Sequence, residues 1–409
     1  MSHRFERMGF SAERLARLDR FLQARYIDSG RLPGAQTLIY HRGEVVHRAC
    51  LGLADVERGA PLAEDTLFRI YSMTKPVTSV AFMMLVEEGL VALDDPVHRF
   101  IPEWEGLGVY EGGALGSFRT RAPERPMQMI DLLRHTSGLT YGFQQRTPVD
   151  AAYRQLQVGE IALNTTLEEM IAALGRLPLE FSPGEAWNYS VSTDALGYLV
   201  GKIAGKPLAE VIEERILAPL GMKDTGFYVK AEQAGRLAAC YQATPEGGFT
   251  LYDDPAASPF LAPPAMVSGG GGLVSTADDY LRFCRMLLQG GQLDGARLLA
   301  PKTIELMTAN HLPGGQDMHS LSRSMFSESA YAGVGFGLGF AVTLDPARTL
   351  LPGSRGDFFW GGMASTYFWI DPLEDMAVIF MTQLIPSSAY QIRRELRTLV
   401  YSALTEPAP

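Results

Sequence analysis

The distribution of strand and helix patterns along the 409 residues is the feature that most constrains the fold. Two β-type runs joined at Arg42-Gly43 lie near the N-terminus, and further runs typical of sheet strands recur between Gly333 and Leu384. Helical patterns dominate from about 95 to 260. The simplest topology places residues 1–94 and 266–409 in one α/β domain and makes residues 95–265 a helical insertion. We expect a functional site in the cleft between the two parts.

Composition and charge exclude several classes of protein. Hydrophobic residues make up 46% of the chain and charged residues 20%, which is enough for an ordinary globular core. No run approaches the 18 or so apolar residues that a transmembrane helix needs. The net charge is −10 and no stretch is dense in Lys or Arg, which argues against nucleic-acid and anionic-membrane partners.

Cysteine use and the N-terminal sequence both predict a cytoplasmic protein. Cys50, Cys240 and Cys284 are few, odd in number and far apart, as is usual for reduced thiols. The sequence that follows Met1 has no apolar signal-peptide core and no small-residue cleavage site.

The segment Ser72-Met73-Thr74-Lys75 is the leading candidate for catalysis. It begins an apolar helix that we expect to run from about Ser72 to Glu88, because Pro76 is tolerated only near a helix start. Residues at i and i+3 share a helix face, so the Lys75 amine can reach the Ser72 hydroxyl. A serine becomes a good nucleophile when a neighbouring base takes its proton. The competing interpretation is a helix N-cap serine beside a surface lysine.

Two later segments could complete such a site. Tyr189 follows Trp187 in a turn-rich segment before a helix, where its phenol could act as a proton shuttle. Trp360 is followed by Gly361, Gly362 and Met363, and paired glycines in a strand imply close approach by a ligand or another backbone. The backbone N–H groups of Met363 and Ser72 could then form an oxyanion hole.

These motifs occur in an order that resembles a known superfamily. SMTK, NYS and WGG follow one another along the chain, with RHTSGLTYG and SGGGGLVSTADDYLRF between them. The chain is similar to the serine β-lactamases and penicillin-binding proteins, class C-like branch, and most similar to the family VIII carboxylesterases and related acyltransferases. The resemblance implies an α/β, β-lactamase-like fold, with an antiparallel sheet flanked by helices and a mostly helical inserted domain. It implies no cofactor and no metal.

The resemblance also implies roles for individual residues. Ser72 would be the acyl-accepting nucleophile, and the oxyanion hole would be formed by the N–H groups of Ser72 and Met363. Lys75 and Tyr189 would share acid and base duty, and the sequence leaves open which takes the first proton because coupled groups titrate as a pair.

The chain departs from the β-lactamase pattern at two places. Trp360 stands where that pattern has a lysine that holds a substrate carboxylate, and Val191 stands where the class C branch has an amide-binding asparagine. Replacing a cation by an aromatic ring favours a neutral substrate. We therefore predict a serine carboxylesterase for small neutral esters, short-chain or aryl. The predicted substrate-binding residues are Trp360, Gly361, Gly362, Trp187, Val191 and Tyr141.

Several alternatives remain open. An acyltransferase to a small-molecule alcohol would use the same residues, and a β-lactamase, a D,D-peptidase or a non-catalytic sensor would share the fold. A Ser-His triad around His135 is disfavoured because the chain has no G-x-S-x-G. The seven histidines show no metal-binding spacing such as HExxH. Two long loops, about Pro313–Tyr331 and Thr244–Pro264, are candidates for the walls of the cleft. The oligomeric state is not predicted.

Overall fold

The computed structural model of the chain describes residues 8–159, 165–323 and 331–406. Its α-helices are α1 (Ala12–Leu22), α2 (Thr74–Glu87), α3 (Met129–Leu133), α4 (Pro148–Gln155), α5 (Leu167–Leu174), α6 (Ser192–Ala204), α7 (Leu208–Ile212), α8 (Ala218–Leu220), α9 (Ala277–Leu288), α10 (Pro301–Met307), α11 (Met318–Leu321), α12 (Pro346–Thr349) and α13 (Ile392–Ala403).

The β-strands fall into one large sheet and several small ones. They are β1 (Gly34–His41), β2 (Glu44–Asp55), β3 (Ala60–Pro61), β4 (Phe68–Arg69), β5 (Val109–Gly112), β6 (Arg119–Arg121), β7 (Cys240–Ala243), β8 (Phe249–Asp253), β9 (Val274–Ser275), β10 (Gln292–Leu293), β11 (Ala296–Arg297), β12 (Val334–Phe336), β13 (Ala341–Thr343), β14 (Phe358–Gly361), β15 (Tyr367–Asp371), β16 (Met376–Met381) and β17 (Leu384–Ile385).

The large sheet joins the two ends of the chain, as the sequence predicts. Its eight strands run in the order β12-β13-β14-β15-β16-β1-β2-β3, and every neighbouring pair is antiparallel. Strand β1 is buried along its whole length and lies between β2 and β16. Strand β16 comes from the C-terminal part, so one edge of β1 pairs with residues more than 300 positions later in the chain.

Helices cover both faces of this sheet. Phe368 and Trp369 are successive residues of β15, so their side chains point to opposite faces. Phe368 contacts Tyr280 of α9, whereas Trp369 contacts Tyr401 of α13. The predicted architecture, an antiparallel sheet flanked by helices, is confirmed.

Helix α2 is the buried centre of the molecule. Eleven of its fourteen residues, from Thr74 to Met83 and Leu85, are buried, and it packs against α6. A helix that is apolar on all sides must lie inside the protein. Burial of this helix brings Lys75, in its first turn, away from bulk water.

The middle of the chain is mainly helical but contains more strands than the sequence indicates. Strands β5 and β6 form a hairpin, and β7 and β8 form another that pairs with β17 in parallel through β7. The interpretation of Thr244–Pro264 as a loop is therefore wrong for Phe249–Asp253. The error arises because β8 is stabilised by pairing with β7 and is largely exposed, so it lacks a buried-strand pattern.

Some sequence predictions fall partly outside the described residues. The other proposed loop, Pro313–Tyr331, contains α11, and its residues 324–330 lie outside the described part. Residues 1–7, to which the signal-peptide prediction largely refers, also lie outside it. In the three described ranges, no helix combines the length and apolar character needed to cross a membrane. The domain boundaries at 94/95 and 265/266 stay predictions.

Candidate active site

Ser72 lies in a tight turn at the start of the buried helix. The turn Tyr71–Met73 is a 3₁₀ helix that leads directly into α2, which matches the predicted helix start. Tyr71 has φ of +42°, a left-handed conformation that is costly for a large residue and often found at functional sites. The turn is fixed from outside, because the Tyr280 hydroxyl donates to the Met73 carbonyl (2.9 Å). Ser72 itself lines the main cavity of the molecule.

Two proton-bearing side chains meet the Ser72 hydroxyl. The Lys75 amine donates to Ser72 Oγ over 3.1 Å, and the Tyr189 hydroxyl donates to the same oxygen over 2.6 Å. Lys75 comes from the same helix as Ser72, whereas Tyr189 precedes α6. The structure thus brings together the three side chains predicted to carry the chemistry.

Lys75 is held by more than the serine. Only 2% of Lys75 is exposed, and its Nζ also donates to the Gly270 carbonyl (2.8 Å) and the Tyr141 hydroxyl (3.0 Å). Its Nζ lies 4.5 Å from the centre of the Tyr189 ring, within range of a cation–π attraction. Burial raises the pKa of Tyr141 well above its ordinary value, and nearby negative charge acts in the same direction. Tyr141 is therefore a neutral phenol that contacts Lys75 directly. The sequence predicted for it only a contact with substrate.

An aromatic cluster fixes the orientation of Tyr189. Its ring stacks on Trp187 (centroids 6.2 Å apart) and lies 5.0 Å from His135. Trp360 packs against its other side, with the indole Nε1 3.4 Å from the Tyr189 hydroxyl. Burial, followed by the charge of Lys75, lowers the pKa of His135 well below its ordinary value. His135 is consequently a neutral ring that packs against Tyr189.

The two glycines after Trp360 permit close contact between distant parts of the backbone. A Cβ atom on Gly362 would lie 2.5 Å from the Ile70 carbonyl oxygen. Gly362 therefore cannot carry a side chain, because the end of β14 contacts the backbone just before Ser72 at this position. Of the two explanations predicted for paired glycines, the structure shows approach of another backbone. Arg393 of α13 fixes the same turn by donating to the carbonyls of Gly362 (2.8 Å) and Thr366 (3.1 Å).

The cavity in front of Ser72 is large, and about a third of the residues that line it are aromatic. Its volume is about 1020 Å³, and its walls include the segment that contains β8 and the residues after it. Phe143, Tyr252 and Met363 line it while remaining 56%, 55% and 42% exposed. Large apolar side chains exposed at the mouth of a cavity are typical of a surface that a ligand covers.

The charged groups that line the cavity are mostly engaged by neighbours. Asp253 pairs with the fully buried Arg69 (2.6 Å), and Asp254 pairs with Arg58 (2.9 Å). Arg393 also lines the cavity, but one of its nitrogens is occupied by the two backbone carbonyls named above.

The predicted substrate-binding residues divide into two groups. Trp360, Gly361, Gly362 and Tyr141 line the cavity together with Met363. Trp187 and Val191 are fully buried and are not among the lining residues of the described chain. The prediction that these two contact substrate is not supported, because Trp187 packs behind Tyr189 and Val191 faces Gly159.

Sequence reasoning missed two charged residues of the site. Asp194, in the first turn of α6, lines the cavity and is fully buried next to the Gly269–Gly272 segment. An acidic residue in an apolar helix is the only signal that could have identified it. Arg393 lies 30 residues beyond Met363, and nothing in the local sequence indicates its position. In the described ranges, no group of three or more His, Cys, Asp or Glu side chains is arranged to hold a metal ion.

Comparison with known proteins places the chain in a family. Residues 18–401 match the family model described as beta-lactamase. The chain is 41% identical to Protein Rv1367c of Mycobacterium tuberculosis over 362 residues, 88% of each chain. It is 33% identical to esterase EstB of Burkholderia gladioli over 394 residues, 91% of each chain.

The fold is likewise similar to that of a solved enzyme structure. EstCE1, described as a hydrolase with promiscuous acyltransferase activity, superposes with a TM-score of 0.80 at 29% identity, and the match covers 95% of this chain and 99% of EstCE1. The family match spans nearly the whole chain and includes all the motifs around Ser72. The chain therefore belongs to the beta-lactamase family.

Proposed function

We propose that this protein is a serine carboxylesterase that hydrolyses small neutral esters, short-chain or aryl, through an acyl-enzyme on Ser72. One observation carries the proposal: Lys75 and Tyr189 both donate to Ser72 Oγ at the wall of an aromatic cavity. The esterase EstB and the hydrolase EstCE1 are similar to it along most of their length, which adds support.

In the proposed acylation step, Ser72 Oγ attacks the ester carbonyl carbon. The Lys75/Tyr189 pair acts in the form that has lost one proton to solvent, so it can take the serine proton as the new C–O bond forms, and the backbone N–H groups of Ser72 and Met363 stabilise the resulting oxyanion. Each such donor contributes about 2.7–4 kcal/mol. The bond to the alcohol then breaks, and the alcohol leaves with a proton from the same pair.

In deacylation the same groups act on water. The Lys75/Tyr189 pair takes a proton from water, the hydroxide oxygen attacks the acyl carbon, and Ser72 leaves with the proton returned. Positioned acid–base groups of this kind contribute roughly 10²–10⁴-fold to the rate.

The preference for neutral substrates follows from the residues around Tyr189. Trp360 offers an apolar face and one N–H donor where the β-lactamase pattern has a cation, and that donor points at the Tyr189 hydroxyl. The nearby cation Arg393 holds backbone carbonyls, and the carboxylates Asp253 and Asp254 already have arginine partners. A substrate without charge needs no counter-ion here.

The test of the nucleophile is Ser72→Ala with p-nitrophenyl butyrate as substrate. Wild-type protein should hydrolyse the ester and gain one adduct from a serine-directed phosphonate by intact mass. The variant should lose both properties while keeping the wild-type melting temperature. Retained hydrolysis or labelling in Ser72→Ala would overturn the assignment.

The size of the cavity favours acyl transfer as a second candidate. A volume of about 1020 Å³ is at the upper end of the range for drug-sized ligands, well above the needs of a short ester alone. EstCE1 is described as having promiscuous acyltransferase activity. Product analysis with an ester donor and added alcohols distinguishes hydrolysis from acyl transfer. Transfer to an alcohol that is faster than hydrolysis would favour the acyltransferase function.

A further inference from the structure

A segment of four glycines connects the Ser72 helix to a buried carboxylate. The carbonyl of Gly270 accepts from Lys75 Nζ (2.8 Å), and the N–H of the same residue donates to Asp194 Oδ1 (3.0 Å). The Gly269 carbonyl accepts from Thr78 Oγ1 of α2 (2.7 Å). Helix α2 is thus linked to Asp194 through the backbone of the glycine segment.

The glycines are required by the closeness of these contacts. A Cβ on Gly270 would lie 2.7 Å from Asp194 Oδ2, and one on Gly269 would lie 2.8 Å from the Thr193 carbonyl oxygen. Contacts below 3.0 Å force a shift. Gly270 can therefore approach both Lys75 and Asp194 only because it has no side chain.

Asp194 is a buried carboxylate with no direct cationic partner. It is 2% exposed, and its Oδ1 also accepts from the Ser268 hydroxyl (2.5 Å). No Lys, Arg or His of the described residues lies within ion-pair distance of it, in contrast to Asp253 and Asp254. Burial raises the pKa of Asp194, and the charge of Lys75 lowers it again in part. Burying a carboxylate is costly unless other groups compensate its charge.

We propose that Asp194 is a positioning residue of this site, whose carboxylate anchors Gly270 against Lys75 and supplies the negative charge that balances the lysine. The inference deepens the proposed function and rests on it, since it concerns how the Lys75/Tyr189 pair handles the Ser72 proton. Asp194 acts through Gly270 and by its charge.

The surroundings of Lys75 leave this role to Asp194. Lys75 donates to the hydroxyls of Ser72 and Tyr141 and lies over the ring of Tyr189, none of which is a carboxylate. His135, on the far side of Tyr189, is kept uncharged by burial. Asp194 is the carboxylate that acts on Lys75 without an arginine of its own within the described structure.

The charge of Asp194 has a predictable consequence for catalysis. When Ser72 attacks, the Lys75/Tyr189 pair gains a proton, so positive charge grows next to the carboxylate. Removing the carboxylate charge makes the protonated pair less stable. Deprotonation of the pair then occurs at lower pH, whichever member loses the proton, and proton uptake from Ser72 becomes less favourable.

The experiment is the pH profile of kcat/KM for p-nitrophenyl butyrate in Asp194→Asn. Asparagine keeps an oxygen acceptor for Gly270 and Ser268 but removes the charge. We expect the acid limb to move to lower pH, because a nearby negative charge is removed, and the plateau to fall at least about 10-fold. A fall in the plateau with an unchanged acid limb would show a purely structural role and overturn the proposal.

A control and a second variant keep the test decisive. Asp279→Asn removes another buried carboxylate, one that binds Thr225 and does not line the cavity, and should leave the acid limb unchanged. If Asp194→Asn does not fold, Gly270→Ala disturbs the same contact and should lower kcat/KM at least about 10-fold, whereas Gly235→Ala, which has open space around it, should not. Wild-type activity in Gly270→Ala would then overturn the proposal. Failure of the proposed function can be distinguished from failure of this inference, because in that case the wild-type protein would show neither hydrolysis nor phosphonate labelling.

Discussion

Removing the hydroxyl of Tyr189 is the most direct perturbation of the proposed proton relay. Tyr189→Phe deletes the 2.6 Å hydrogen bond to Ser72 Oγ and the acceptor of the Trp360 indole N–H, at 3.4 Å. The ring contacts with His135 and Trp187 involve the ring carbons and remain. The variant therefore isolates the hydroxyl from the packing of the side chain.

The size of the effect follows from the role assigned to the hydroxyl. General acid–base catalysis contributes about 10²–10⁴-fold, so kcat/KM should fall by that factor, or about 2.7–5.4 kcal/mol in activation free energy. The loss of these two intramolecular hydrogen bonds costs about 1 kcal/mol of folding stability each. The activation free energy should thus change more than the free energy of unfolding.

The assay is stopped-flow release of p-nitrophenol from p-nitrophenyl butyrate, with thermal unfolding measured on the same samples. KM should change little, and the rate of acylation should carry the loss. Tyr153→Phe is the matched control, because Tyr153 is also buried but does not line the cavity, and its rate should stay within about 2-fold of wild type. If Tyr189→Phe keeps acylation within about 3-fold of wild type, the phenol is not part of the relay.

Three further predictions test other parts of the site. Trp360→Lys should lower the selectivity for p-nitrophenyl butyrate over the carboxylate-bearing p-nitrophenyl hemisuccinate by about 10-fold, and an unchanged ratio of kcat/KM values would contradict the argument from charge. Gly362→Ala should lower both activity and melting temperature because its Cβ would lie 2.5 Å from the Ile70 carbonyl, whereas Gly235→Ala, with open space around it, should change neither. Burial lowers the pKa of His135, so below about pH 6.5 the unfolded chain binds a proton at this residue that the folded chain does not. The contribution of His135 to the free energy of unfolding is therefore present above about pH 6.5 and is lost as the pH falls. Unfolding by urea at pH 7.5 and 5.5 should show a smaller loss of stability for His135→Gln than for wild type, and equal losses would refute this linkage.

The parts of the site that the sequence predicts depend on short-range geometry. Ser72 and Lys75 are three residues apart on one helix, so the period of the helix alone brings them together. Tyr189 and Met363 were predicted because their motifs match a family pattern. The alternation of strand and helix patterns likewise predicts the α/β fold.

The parts that the sequence does not predict depend on contacts between distant segments. Gly270 is 195 residues from Lys75, and no local pattern indicates that its carbonyl accepts from the amine. Arg393 reaches the carbonyl of Gly362 across 31 residues because α13 packs beside the end of β14. Val191 is buried and is not among the cavity-lining residues of the described chain, because a motif fixes the order of residues but not which side chains face the cavity.

The pairing of β1 with β16 has a consequence for the synthesis of this protein. Ser72 and Lys75 emerge from the ribosome well before the strand that carries Trp360 and before β16, the strand that pairs with β1. A nascent chain therefore holds a serine and a lysine without a finished cavity around them. The complete cavity around Ser72 should therefore form only after β16 has been made, so the proposed activity should be absent from shorter nascent chains.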